Sequence, residues 1–262
     1  MGIDPPAQKF VTGADVRQAC RTGDWTGPTA GLAPGFAQAN LVILPKDWAS
    51  EFLLFCQRNP RPCPLIAVTQ PGAWQPTVAP EADLRTDLPK YRVWRDGQLV
   101  AESTSITDLW QNDFVSFLIG CSFTFEAALL KEGVPVRHIE LGCNVPMFRT
   151  NIQCTSAGRF SGPLVVSMRP LTPEGTDRAI KISSRFGESH GGPVHVSDPQ
   201  KIGIFDLGRP DYGDPVPVHP GEQPVFWACG VTPQAALLQA KPPLAITHAP
   251  GCMFLTDLTS PA

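Results

Sequence analysis

The stretch Asn40–Val68, NLVILPKDWASEFLLFCQRNPRPCPLIAV, sets the class of fold. Leu41–Leu44 is a continuous apolar run of strand length, the pattern of a strand buried on both faces. Asp47 is placed to cap a helix running to Gln57, and Pro60 follows as a stop. Leu65–Val68 is a second short apolar strand. A β-α-β start of this kind predicts an α/β fold with a partly parallel sheet. Upstream, Gly13–Arg21 reads as a helix ending near Gly23. A glycine-rich loop, GPTAGLAPG (27–35), then leads through Gln38 and Asn40 into the first strand.

Downstream, Tyr91–Trp94 and Leu99–Ala101 flank Asp96-Gly97, a hairpin signal. Thr107–Ile119 is apolar at mixed spacing and is read as a helix. Phe123–Glu132 is a further helix, with Ser122 as its cap and Gly133 and Pro135 closing it. Asn144–Ile152 and Leu164–Met168 read as strands, and Asp177–Phe186 as a helix between strands. The end is strand-rich, with Val194–Val196, Ile202–Phe205, Val225–Cys229, Leu244–Thr247 and Met253–Leu255. One helix interrupts it, Pro233–Ala240, started by Thr232 at the N-cap and Pro233 at the first position.

The totals narrow the classes of function. The chain has 262 residues, enough to bury a core without disulfide or metal. A net charge of −3 with scattered Lys and Arg gives no basic face for nucleic acid. Apolar runs such as Phe114–Ile119 are far shorter than the roughly 20 residues a bilayer span needs. The opening MGIDPPAQKF has no charged and apolar leader, and Pro6 stands where a myristoylation motif needs Ser or Thr, so the expected compartment is the cytoplasm. Eight cysteines occur without a Cys-x-x-Cys pair and read as small buried hydrophobes. Proline is abundant, 29 residues, and suggests short strands with rigid loop ends.

Six constellations could carry chemistry. In Val225–Pro233 a strand, a Gly230 turn and a helix start at Thr232 would aim free amides at an anion, although an ordinary capped helix has the same shape. Cys121 lies at a similar turn, where a thiol can be activated as a nucleophile, or simply be buried. Glu126, one turn inside that helix, could be a general base or a carboxylate complementing the dipole. Arg149 and Asn151 share one strand face and could grip a carboxylate, or lie on an exposed edge. Arg169 ends a strand, and together with Arg149 it would suit a dicarboxylate if the two converge. The stretch SHGGPVHVSDP (189–199) presents His190 among glycines, with His195 and Asp198 following; two His five residues apart lack metal-ligand spacing. His248 ends an apolar strand before a tight turn, a usual place for ligand groups. A zinc site of His138, Cys143 and Cys154 is a rival reading.

Several segments together resemble one family. GPTAGLAPGFAQANLVILP (27–45), GCSFTFEAAL (120–129), NVPMFRTNI (144–152), SMRP (167–170), HGGPVHVSDP (190–199), PVFWACGVTPQ (224–234) and ITHAPG (246–251) are similar to bacterial hydro-lyase proteins of the D-glutamate cyclase family. A related segment occurs in the mitochondrial D-glutamate cyclase. The resemblance implies a mixed-sheet three-layer α/β sandwich with a smaller inserted α/β subdomain. Here the main domain would take residues 1–123 and 189–262 and the insert 124–188. It implies a carbon–oxygen lyase that converts D-glutamate to 5-oxo-D-proline with loss of water, and no cofactor. A small carboxylate or amino acid is the expected partner, without nucleic acid or membrane, and a homo-oligomer is compatible. For that chemistry the site expectation is His190, His248, Glu126 and Cys121 as catalytic groups. Arg149, Asn151, Arg169, His195, Gly230 and Thr232 would bind substrate, and no metal takes part. A non-catalytic sensor or partner subunit that binds a small carboxylate is the alternative.

Overall fold

The computed structural model describes residues 10–259. The reading of the opening residues lies outside that range. The elements in chain order are α1 (Gly13–Thr22), β1 (Phe36–Pro45), α2 (Lys46–Arg58), β2 (Leu65–Val68), β3 (Tyr91–Arg95), β4 (Gln98–Ser103), β5 (Phe114–Gly120), α3 (Phe123–Lys131), α4 (Arg137–Glu140), β6 (Met147–Gln153), β7 (Pro163–Leu171), α5 (Pro173–Ser183), β8 (His195–Val196), β9 (Gln223–Ala228), α6 (Val231–Ala240), β10 (Ala245–His248) and β11 (Phe254–Thr259).

The strands form two sheets. The first runs β2-β5-β1-β10-β3-β4, with β11 sharing the β10 edge of β1, and the second runs β6-β7-β9-β8. The α/β class is as expected, but the parallel component is not: every named ladder is antiparallel. β1 and β2 do run in the same direction across α2. They are not neighbours, because β5 inserts between them and pairs antiparallel with both. β5 also corrects the helix expected over Thr107–Ile119, where only a short 3-10 turn at Thr107–Leu109 precedes the strand. All seven of its residues are buried, so no alternation marks it as a strand.

Both faces of the first sheet are covered. Val42 and Leu44 of β1 pack with Phe52, Phe55 and Phe117 under α2, whereas Leu41 and Ile43 face Leu88, Tyr91 and Leu118 on the other side. The Phe52 ring meets Phe117 and Phe160 edge-on at 4.8 and 5.1 Å, contacts worth about 0.5–1.5 kcal/mol each beyond their burial. Asp47 does not cap α2; Pro45 is the cap residue, and Asp47 sits in the first turn, where it complements the dipole. The second sheet rests on α3 and α5 through Phe125, Phe186 and Trp227. Its last two strands, β8 and β9, lie beyond residue 188. The strand expected at Ile202–Phe205 is absent: Pro199–Ile202 is a 3-10 turn ended by Gly203, and Phe205 is exposed. Among the described residues no helix is long and apolar enough to cross a membrane.

Candidate active site

Two turns of the same design meet where the sheets abut. β5 ends at Gly120 and enters α3 through Cys121 and Ser122; β9 passes through Cys229 and Gly230 into α6. Neither helix start is capped by a side chain: the Thr124, Phe125 and Thr232 N–H groups donate to the Cys121, Ser122 and Cys229 carbonyls, and the Phe123 and Val231 N–H groups face the Cys121 and Cys229 sulfurs. The hydroxyls expected as caps are engaged elsewhere. Ser122 Oγ accepts from Arg169 at 3.0 Å, while Thr232 Oγ1 accepts from the Val165 N–H at 3.0 Å and donates to the Val165 carbonyl at 3.2 Å. Asn40 from β1 ties the turns together. Its Nδ2 donates to the carbonyls of Gly120 and Ile119 at 2.8 and 3.2 Å. A Cβ at Gly230 would stand 2.0 Å from that Nδ2, and one at Gly120 would stand 1.7 Å from the Glu188 carbonyl oxygen. Close approach, not backbone angle, demands both glycines.

The turns wall a small chamber with Asn40, Cys121, Ser122, Asn144, Cys229 and His248 in its lining. Its volume is about 20 Å³, room for one water molecule. Asn144 and Pro250 are shared with the wall of a larger polar cleft of about 570 Å³, which carries Lys90, Arg92 and Glu102. Arg92 and Lys90 sit 2.8 and 3.9 Å from Glu102.

His248 is fully buried on β10, with Nδ1 3.2 Å from the Leu41 nitrogen and Gln234 Nε2 3.3 Å from both ring nitrogens. Burial pushes its imidazole down to about 4, with Arg92 adding to the fall and the Leu41 backbone opposing it. The ring is neutral near neutral pH. Burial pushes the Cys121 thiol far up, against the Phe123 N–H, and the Cys229 thiol up to about 11, against the Val231 N–H. The activated thiolate expected at Cys121 is therefore corrected to a thiol, because desolvation outweighs the helix start.

The model of the family described as D-glutamate cyclase matches residues 115–257, the segment from β5 to β11. A Geobacillus kaustophilus protein named "Putative hydro-lyase" is 60% identical over 95% of both chains. Its namesake in Stutzerimonas stutzeri is 59% identical over 96% of both. One from Xanthobacter autotrophicus is 56% identical over 95% of this chain and 90% of its own. The chain belongs to the D-glutamate cyclase family. Its relatives bear hydro-lyase names, and it is accordingly a lyase-family protein. A solved chain described as a nitrogen repressor-like protein from Methanococcus jannaschii aligns at 10% identity with a TM-score of 0.40, too loose a likeness to bear on fold or function.

In this family member the residues singled out by sequence divide into three places. Cys121 and His248 reach the chamber, and Gly230 forms its turn. Glu126 and Arg169 form a buried ion pair behind Ser122 instead. Arg169 donates through Nε and one terminal nitrogen to Glu126 Oε1, and to Ser167 and Ser122 at 3.1 and 3.0 Å. Its guanidinium lies 5.3 and 5.2 Å from the rings of Phe125 and Trp227. His138 Nε2 stands 3.2 Å from the same Oε1, off the line of a hydrogen bond. Burial pushes the Glu126 carboxyl up, but His138 and Arg169 together outweigh it and hold it below the usual range.

The remaining residues stay apart. Arg149 is exposed on β6 and bonds the Tyr212 hydroxyl at 2.7 Å, so the convergence of Arg149 and Arg169 on one ligand is not found. Asn151 shares the exposed face of β6. His195 is half-buried on β8 with Nε2 2.7 Å from the Asp198 carbonyl. His190 is buried in the left-handed region, φ 79°, its Nδ1 2.8 Å from the Arg61 carbonyl. Burial pushes its imidazole down to about 4. His138, Cys143 and Cys154 do not assemble: no group of three His, Cys, Asp or Glu able to hold a metal occurs among the described residues. Sequence reasoning missed Asn40, Lys90, Arg92, Asn144 and Cys229. Asn40 left a trace, as one of two amides, with Gln38, leading into a wholly apolar run.

Proposed function

We propose that this chain cyclises D-glutamate to 5-oxo-D-proline and water, with the reaction at the mouth of the chamber. The observation that carries this reading is a space the size of one water between two uncapped helix starts, beside a cleft where Lys90 and Arg92 pair with Glu102, and Asp211 and Asp214 complete the wall. The bond formed joins the amine nitrogen to the γ-carboxyl carbon; the bond broken releases one γ-oxygen. An ammonium and a carboxylate give an amide and water, so protons balance without any co-reactant. Lys90 and Arg92 would hold the α-carboxylate in the cleft. The Phe123 and Val231 N–H groups, turning from the weakly accepting thiols of Cys121 and Cys229, would take the negative charge that grows on the γ-carboxyl oxygens. Neutral His248 would relay the two protons that the ammonium loses, one after the other, to the departing oxygen. Because the charged ring is disfavoured, it takes up a proton only as it passes one on, so removal from the ammonium and delivery to the departing oxygen are coupled. Cys121 and Cys229, as thiols, would wall the chamber, not attack.

The test is incubation of the pure protein with D-glutamate labelled with 18O in the γ-carboxyl. One label should leave in water as 5-oxo-D-proline accumulates, with L-glutamate turned over more slowly. Absence of 5-oxoproline from either enantiomer would refute the reading.

A further inference from the structure

Beside α3 lies a second cavity of about 480 Å³, between that helix and the loop 31–35. Its volume falls within the range of small-molecule sites. The loop is held in the left-handed region at three alternate positions, Gly31, Ala33 and Gly35, with φ of 76°, 43° and 96°. Ala33 is strained there, and such strain gathers at ligand clamps. Most of the wall that solvent reaches is apolar. Pro34, Phe36, Ala127, Leu130 and Ile139 line it, and each keeps accessible surface.

Four polar side chains share the wall, those of Gln38, Thr124, Glu126 and Lys131. Three of them are engaged within the protein. The Gln38 amide exchanges hydrogen bonds with Thr29, accepting from its hydroxyl at 2.8 Å and donating to its carbonyl at 2.9 Å. Thr124 Oγ1 accepts from the Gln38 N–H at 3.0 Å. Glu126 Oε1 takes the hydrogen bonds of Arg169, and Oε2 is shut away from solvent, so this carboxylate is closed to a ligand. Lys131 differs from all three. It is exposed in the last turn of α3 and has no ion-pair partner among the described residues. Its ammonium is the charge that the lining can offer, on a stem flexible enough to reach the cavity mouth, and a carboxylate complements it.

We infer that this cavity binds a small aliphatic monocarboxylate, with its chain against the apolar wall and its carboxylate on Lys131. The chain carries most of the affinity, about fourfold for each methylene buried, and the ion pair selects the sign of the head group. The site is separate from the cyclisation chemistry and stands if that reading falls. It shares only Phe123 with the chamber lining.

Isothermal titration of the pure protein with hexanoate, butanoate, hexanol and hexylamine, near neutral pH and at low salt, tests the site. Hexanoate should bind about tenfold more tightly than butanoate, the scale of two methylenes. It should bind about fivefold more tightly than hexanol, the upper end of what an exposed ion pair contributes, with hexylamine weakest of the three. Lys131→Glu, at an exposed position, should keep the fold and reverse the order of hexanoate and hexylamine. Ala127→Phe puts a ring into the cavity and should weaken hexanoate at least about tenfold with unchanged circular dichroism. The inference is overturned if hexanoate does not bind at millimolar concentration, or binds no better than butanoate or hexylamine. Undiminished hexanoate binding by Ala127→Phe overturns it too. So does a dimer that hexanoate leaves intact and Leu130→Lys separates, since a second copy would then cover the wall.

Discussion

His190 and His248 are fully buried imidazoles whose protonation is opposed by burial, both pushed down to about 4. Unfolded imidazoles take up protons below about 6.5, so between those values the unfolded chain holds more protons than the folded one. Stability is therefore complete above about 6.5 and falls as pH drops toward 4, by roughly 3 kcal/mol for each ring. Urea titrations at a series of pH values should show this loss, and His190→Asn or His248→Asn should each flatten the slope. A stability independent of pH over that window would contradict the assignment. Arg169 poses a different case, a guanidinium 1% exposed and paired with a carboxylate 2% exposed. Arg169→Ala leaves Glu126 as a buried charge beside His138 and should cost about 3–5 kcal/mol. Arg149→Ala, at an exposed site, should cost less than about 1 kcal/mol by the same measurement. Nothing in the flanking sequence of these two arginines separates them; both lie on one face of the second sheet, but β6 is its edge strand whereas β7 runs between β6 and β9.

At the level of elements, the glycines at the two turns set the geometry. Gly120→Ala drives a Cβ into a backbone oxygen of Glu188, which cannot swing aside, and should destabilise the fold by more than about 2 kcal/mol. Gly230→Ala meets the end of the Asn40 side chain, which can move. It should leave the melting temperature closer to wild type while lowering activity, because Asn40 is displaced from the chamber wall. Equal effects of the two substitutions on stability would contradict this account of the turns. Both turns and both following helices are legible in the sequence, since Gly and Pro punctuate them locally. β5 is not, because Phe114–Gly120 is buried throughout and carries no period of two. Nor is the true role of Ser122 and Thr232, which look like caps because their partners Arg169 and Val165 lie 47 and 67 residues away.

Across the whole molecule, the chamber gathers residues 40, 121, 144, 229 and 248, and the cleft beside it adds 90 and 92. Strand order brings them together: β10 lies between β1 and β3, so His248 stands beside Leu41 on one side and opposite Tyr91 on the other, one residue along each strand from Asn40 and Arg92. No local motif encodes that order, which is why Lys90, Arg92 and Asn144 were not legible while the α/β class and the family were. We propose that the unit built on the second sheet extends beyond residue 188 to take in β8 and β9. On this reading both sheets contribute one helix start each to a single reaction site. The central claim is that His248 in this chamber moves the proton during D-glutamate cyclisation. The measurement is kcat/KM for 5-oxo-D-proline formation by wild type and His248→Asn, beside their melting temperatures. A loss of about 100-fold or more with the fold retained is the predicted result. A folded His248→Asn protein as active as wild type would contradict it.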